Sequence, residues 1–103
     1  MQRIVERHQI EGQDERQRVF NRLVDILRVE KGYTGIFHYE GLTFGTESAR
    51  TVEETIRNLI SKLQKSGCSN LRTRLNFRGQ RYLAEREPWV NYPDSAFQEA
   101  GRS

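Results

Sequence analysis

Residues 51–67, TVEETIRNLISKLQKSG, constrain the fold more tightly than any other stretch of the chain. Thr51 and Glu54 stand at capping-box spacing, where hydroxyl and carboxylate each satisfy an N–H that a first helical turn leaves over. Val52, Ile56, Leu59, Ile60 and Leu63 recur at helical period on one stripe. Gly67 provides the stop. A helix with one apolar stripe must bury it against another layer, so the rest of the chain has to supply that layer.

Part of it comes from YTGIFHYEGLTFGTE, residues 33–47, which reads as a β-hairpin turning at Glu40-Gly41. That register sets Tyr39 opposite Leu42 and Phe37 opposite Phe44 on a core face, with Ile36, His38 and Thr43 pointing the other way. Residues 14–31 change period. Val19, Phe20, Leu23, Val24, Ile26 and Leu27 fit a helical stripe, with Asp14 as N-cap, Lys31 in the last turn and Gly32 as stop. This spacing predicts a second helix. The opening MQRIVERHQI places Ile4, His8 and Ile10 on alternate positions, a weak signal for an edge strand over residues 3–10.

A second hairpin is expected over residues 70–87, NLRTRLNFRGQRYLAERE, turning at Gly79-Gln80. Counting outward pairs Arg78 with Arg81, Phe77 with Tyr82, Asn76 with Leu83, Leu75 with Ala84, Arg74 with Glu85 and Arg72 with Glu87. Leu71, Leu75, Phe77, Tyr82 and Ala84 then share the core face, while Arg72 and Arg74 meet acidic partners on the other. The element order is (β)-α-β-β-α-β-β. It implies an α+β two-layer sandwich, two helices on one face of a mainly antiparallel sheet, with the far face open. Residues 1–97 form one domain in this reading and 98–103 a disordered tail.

Leu, Ile, Val and Phe make up 25 of 103 residues, enough for a thin core despite a mean hydropathy of −0.83. No apolar run approaches the ~18 residues needed to span a bilayer, so no membrane partner is expected. Cys68 is the single cysteine and cannot form an internal disulfide, which favours a reducing, cytoplasmic setting. The net charge of +3 is spread unevenly: residues 1–31 carry seven bases against six acids, 32–66 four against four, and 67–103 six against four, so the last third is mildly basic. Arginine outnumbers lysine 14 to 3, which suits bidentate recognition of carboxylate or phosphate.

His8, His38 and Cys68 share no metal-ligand or nucleophile spacing, so no catalytic residue, metal or cofactor is expected. Glu53-Glu54 is explained by the helix N-terminus. Phosphate-binding glycine loops are absent from the sequence, as are the strings that carry RNA-stacking aromatics. Arg78 and Arg81, like charges opposed at the hairpin tip, invite an external anion. PWVNYP, residues 88–93, brings Trp89 and Tyr92 onto a stiffened segment that either covers a sheet edge or, with outward Ile36 and Leu83, forms a protein-binding surface. The leading expectation is a small non-enzymatic interaction or regulatory domain, with a protein partner or a homodimer through the open sheet face. The alternative is an RNA-binding protein whose phosphate contacts come from Arg72, Arg74, Arg78 and Arg81.

Overall fold

A computed structural model describes residues 3–78, 81–82 and 87–93. The strands are β1 (Arg3–Gln13), β2 (Val19–Val29), β3 (Gly32–Tyr39), β4 (Leu42–Gly45), β5 (Ser69–Arg78), β6 (Arg81–Tyr82) and β7 (Val90–Asn91), and α1 (Val52–Lys65) lies between β4 and β5. They form one antiparallel sheet in the order β4-β3-β2-β1-β5-β6, with β7 added to the edge of β5. Among the described residues there is one helix, so the molecule is mostly β and the expected two-helix sandwich is wrong.

The correction lies in residues 19–29. The stripe read as helical consists of three adjacent pairs, Val19-Phe20, Leu23-Val24 and Ile26-Leu27. In a strand each pair sends one residue to either face. Phe20, Val24 and Ile26 are buried towards α1, while Val19 and Leu23 are exposed on the far side. Valine, isoleucine and phenylalanine favour that pleated surface. Asp14 caps no helix. Its carboxylate accepts the N–H groups of Arg16 and Arg18, both at 2.9 Å, and so shapes the loop joining β1 to β2. β1 is consequently no edge strand: it runs to Gln13 and lies between β2 and β5 at the centre of the sheet.

The β3–β4 hairpin follows the expected register, Phe37 opposite Phe44 and Tyr39 opposite Leu42. Glu40 (φ 53°) and Gly41 (φ 78°) are both left-handed, the geometry whose twist matches the flanking strands. α1 keeps its predicted bounds. Thr51 Oγ1 accepts the Glu54 N–H at 3.0 Å, and the Cys68 N–H donates to Leu63 O at 3.0 Å where the helix ends. Its Ile56, Leu59, Ile60 and Leu63 pack with Ile10, Val24, Ile26, Phe37 and Leu71 of the sheet. Each such fully buried side chain contributes roughly 1.5–3 kcal/mol.

β5 departs from the expected faces. Its pairing with β1 places Leu75 opposite His8 but Phe77 opposite Arg7, so Asn76 is the extra residue of a bulge. Leu71 and Leu75 face α1. Phe77 is turned to the open face instead, where the Arg7 guanidinium lies 6.0 Å from its ring centre. The register of the second hairpin is otherwise as counted, Phe77 with Tyr82 and Arg78 with Arg81. Leu83, Ala84, Glu85 and the 98–103 tail lie outside the described residues. No helix among the described residues is long and apolar enough to cross a membrane.

Candidate functional site

On the open sheet face the arginines of β5 are already engaged. Arg72 donates from Nε to Glu11 Oε1 at 2.8 Å, and Nη2 reaches the same oxygen. Arg74 Nε donates to Gln9 Oε1 at 2.9 Å. Asn21 joins the two, donating to Glu11 at 2.7 Å and accepting from Gln9 at 2.9 Å. The Arg72 hydrogen bond, together with Asn21 and the charges of Arg72 and Arg74, holds the Glu11 carboxyl below its ordinary value against burial. One expected cross-hairpin partner is thus replaced, since Arg72 faces Asn91 on its β7 side and not Glu87; the expected partner of Arg74, Glu85, lies outside the described residues. The partner strand is β1, more than 60 residues away in sequence, which counting across a local turn does not reach.

Trp89 completes this arrangement. The Arg72 and Arg74 guanidinium carbons lie 4.2 and 4.3 Å from the centre of its ring. Tyr92 grips the opposite face of β5. Its N–H donates to Leu71 O at 2.9 Å and its hydroxyl lies 3.0 Å from Thr73 Oγ1. Residues 87–93 therefore strap the β5 edge from both sides, because alternation in an extended segment sends Trp89 and Tyr92 to opposite faces. Ile36 is half-buried on the open face, opposite Asp25 and Gly45, remote from this strap.

A cleft of about 640 Å³ opens on the helix side of the same edge. Val52 and Ile56 of α1 form one wall, Thr73 and Leu75 of β5 the floor, and Val90 and Tyr92 of the strap the other wall. Val90 remains 52% exposed. At one end stand three charged or titratable groups. His8 Nε2 is 2.8 Å from Glu6 Oε1, and Arg78 Nε is 3.4 Å from Glu6 Oε2. Burial works to raise the Glu6 carboxyl, but the His8 hydrogen bond and the charges of His8 and Arg78 outweigh it, leaving it below its ordinary value. Arg78 is thus on the helix face, while β6 places Arg81 directly opposite it. Glu53 and Arg57, 2.6 Å apart, and Glu87 lie on the rim.

Of the residues singled out in the sequence, this cleft brings together Arg78 and Tyr92, with Arg74 and the strap alongside. It excludes Ile36, and Leu83 lies outside the described residues. Glu6, His8 and Thr73 were missed. The available signal was the i, i+2 spacing of Glu6 and His8, which shares a face only once residues 3–13 are recognised as a strand. Cys68 is buried; burial raises its thiol, and the charges of Asp14 and Glu15 add to that. His38 is exposed and lies 3.0 Å from Thr43 Oγ1. Among the described residues no group of three His, Cys, Asp or Glu could hold a metal ion. Comparison with protein-family models, with curated proteins and with solved structures gives no match.

Proposed function

We propose that this chain is a small non-enzymatic interaction domain that seats an apolar side chain of a protein partner in the cleft between α1 and the β5 edge. The observation that carries this reading is the cleft itself. Val52, Ile56, Leu75, Val90 and Tyr92 line it, its size is that of ordinary ligand sites, and Val90 is left half in water at its mouth. The strap adds support, since it holds Val90 in place by gripping β5 on both faces. Phosphate binding by β5 has weaker support, because Arg72 and Arg74 are committed to Glu11, Gln9 and Trp89, and Arg78 stands beside Glu6.

Peptides selected from a random display library should shift the amide resonances of Ile56, Thr73 and Val90. Val90→Asp should abolish their binding while leaving the circular dichroism spectrum unchanged. Resonance shifts confined to open-face residues such as Leu23, Asp25 and Ile36 would overturn the reading.

A further inference from the structure

We infer that the partner seated in the cleft presents an acidic stretch, read by a corner of cations at one end of the sheet: Arg3, Arg28, Lys31 and Arg50. This rests on the cleft reading above and adds the partner's chemistry to it. Arg3 and Arg28 are direct partners across β1 and β2, Arg28 is the partner of Tyr33 on β3, and Tyr33 bridges to Ala49, the neighbour of Arg50. Lys31 lies in the turn that closes β2 onto β3. All four cations are exposed.

Arg7, Arg18, Arg57, Arg72 and Arg78 each have an acid within 4 Å. Among the described residues Arg3, Arg28, Lys31 and Arg50 have none, although Glu30 and Glu54 are close by in sequence; nor do Arg16, Arg22, Arg74, Lys62 and Lys65. What joins the four of the corner is their place together at one end of the sheet. Arg28 instead lies 5.5 Å over the Tyr33 ring and donates to its hydroxyl at 3.3 Å. Opposing Arg3 directly to Arg28 is destabilising in an antiparallel pair. An anion bound between them would relieve that repulsion, and the guanidinium fork suits a carboxylate.

The corner adjoins the cleft. Glu6, at the cleft's end, is the partner of Ile26, only two residues along β2 from Arg28, or roughly 7 Å. Arg78 continues the cationic side on β5. In the cleft itself the charges balance: Glu6, Glu53 and Glu87 stand with Arg57, Arg74 and Arg78, and Glu6 and Glu53 are paired with Arg78 and Arg57. The ligand that fits has an apolar part and a separate anionic end. A peptide achieves this with an apolar residue followed by acids. A nucleic-acid strand carries charge at every nucleotide and would bring phosphates into a cleft walled by Val52, Ile56 and Val90, whose own arginines Arg57 and Arg78 are already paired with acids.

The test uses the full chain and a labelled, end-capped peptide, Gly-Phe-Gly-Glu-Glu-Glu, with its Gln-for-Glu counterpart and an oligouridylate. Anisotropy is read at low and near-physiological salt. The acidic peptide should bind. The Gln peptide and the double variant Arg3→Glu/Arg28→Glu should each weaken binding about tenfold or more and flatten its salt dependence. Val90→Asp should weaken binding with the salt dependence kept. Charge reversals without effect, where Val90→Asp still abolishes binding, would overturn the corner and leave the cleft standing. If Val90→Asp has no effect, the cleft reading falls. Failure of the acidic peptide to bind, or tighter binding of oligouridylate, overturns the inference. Thermal melts of each exposed-site variant separate lost binding from lost fold.

Discussion

Asp14 is the residue whose environment most exceeds what its place in the sequence suggests. Beyond the two N–H groups that set the loop, its Oδ2 accepts from Arg18 Nε at 2.9 Å and from the Tyr39 hydroxyl at 2.8 Å. Burial works to raise its carboxyl, yet these donors, the Arg18 N–H foremost, hold it at about 2. A carboxyl depressed in the folded state stabilises the fold fully above its ordinary value, and that contribution disappears as pH falls to the folded one. Stability due to Asp14 should therefore fade between about pH 4 and about pH 2. Asp14→Asn should melt at lower temperature at neutral pH and show a flatter loss across that acid window, measured by thermal melts in a pH series. An equally steep acid loss in the variant would show that other carboxylates govern it. Gly12 is constrained in a different way. A Cβ there would stand 2.6 Å from Leu71 Cδ2, 3.0 Å from Ser69 O and 3.3 Å from Phe20 Cζ. Gly12→Ala should destabilise by about 1–3 kcal/mol in denaturant titration, as overpacking against a backbone oxygen does. A neutral result would mean that β1 and β5 part easily at that point.

At the scale of elements, α1 and the β3–β4 hairpin were legible because their signals are local. A capping box, a stripe and a stop glycine lie within 17 residues, and Tyr39, Leu42, Phe37 and Phe44 pair across one turn. β2 was not legible, because three adjacent apolar pairs satisfy helix and strand periods alike. What decided between them is β1, whose Ile10 and His8 need a partner strand on that side. The faces of β5 were lost to the Asn76 bulge, for which the sequence offers neither glycine nor proline as a marker. Among the described residues the strap pairs with β5 at Arg72 and Thr73 and adds the Tyr92 N–H to Leu71 O, a short backbone seam. Its hold on the open face rests on Trp89 beside the Arg72 and Arg74 guanidinium groups. Stacking of this kind contributes roughly 0.5–1 kcal/mol per cation at exposed sites. Trp89→Ala should cost on that order in global stability and should speed amide exchange of Tyr92, whose N–H donates to Leu71 O. Because Trp89 is the single tryptophan, Arg72→Ala and Arg74→Ala should each shift its fluorescence. An emission maximum insensitive to both would place the ring elsewhere.

For the whole molecule, the decisive fact is that the first strand is the middle strand. β1 joins β2 through a five-residue loop, but it meets β5 only after β2, β3, β4 and α1 have been made, with Glu11 opposite Arg72. Interleaving of this sort is invisible to periodicity, which reports a residue's local face and not its distant neighbour. It also explains why Arg72 meets Glu11 and Asn91 in place of Glu87, and why a helical reading of residues 14–31 hides the Arg3–Arg28 pair. Stability should be graded accordingly, since local opening follows the number of buried contacts an element would lose. β1 is paired on both sides and carries Ile10, which is fully buried against α1. β4 and β7 are short and lie at the two edges. Amide exchange should therefore be slowest for residues of β1 and the adjoining stretches of β2 and β5, and fastest among the strands for 42–45 and 90–91. Ile10→Ala should cost roughly 2–5 kcal/mol. It should accelerate exchange in β2 and β5 together, since both strands are held to the helix through that side chain's layer. If Ile10→Ala accelerated exchange in β1 alone, the two halves of the sheet would be separate units and the central role of β1 would be lost. Common acceleration, with β4 little changed relative to its already rapid exchange, is the outcome this topology demands.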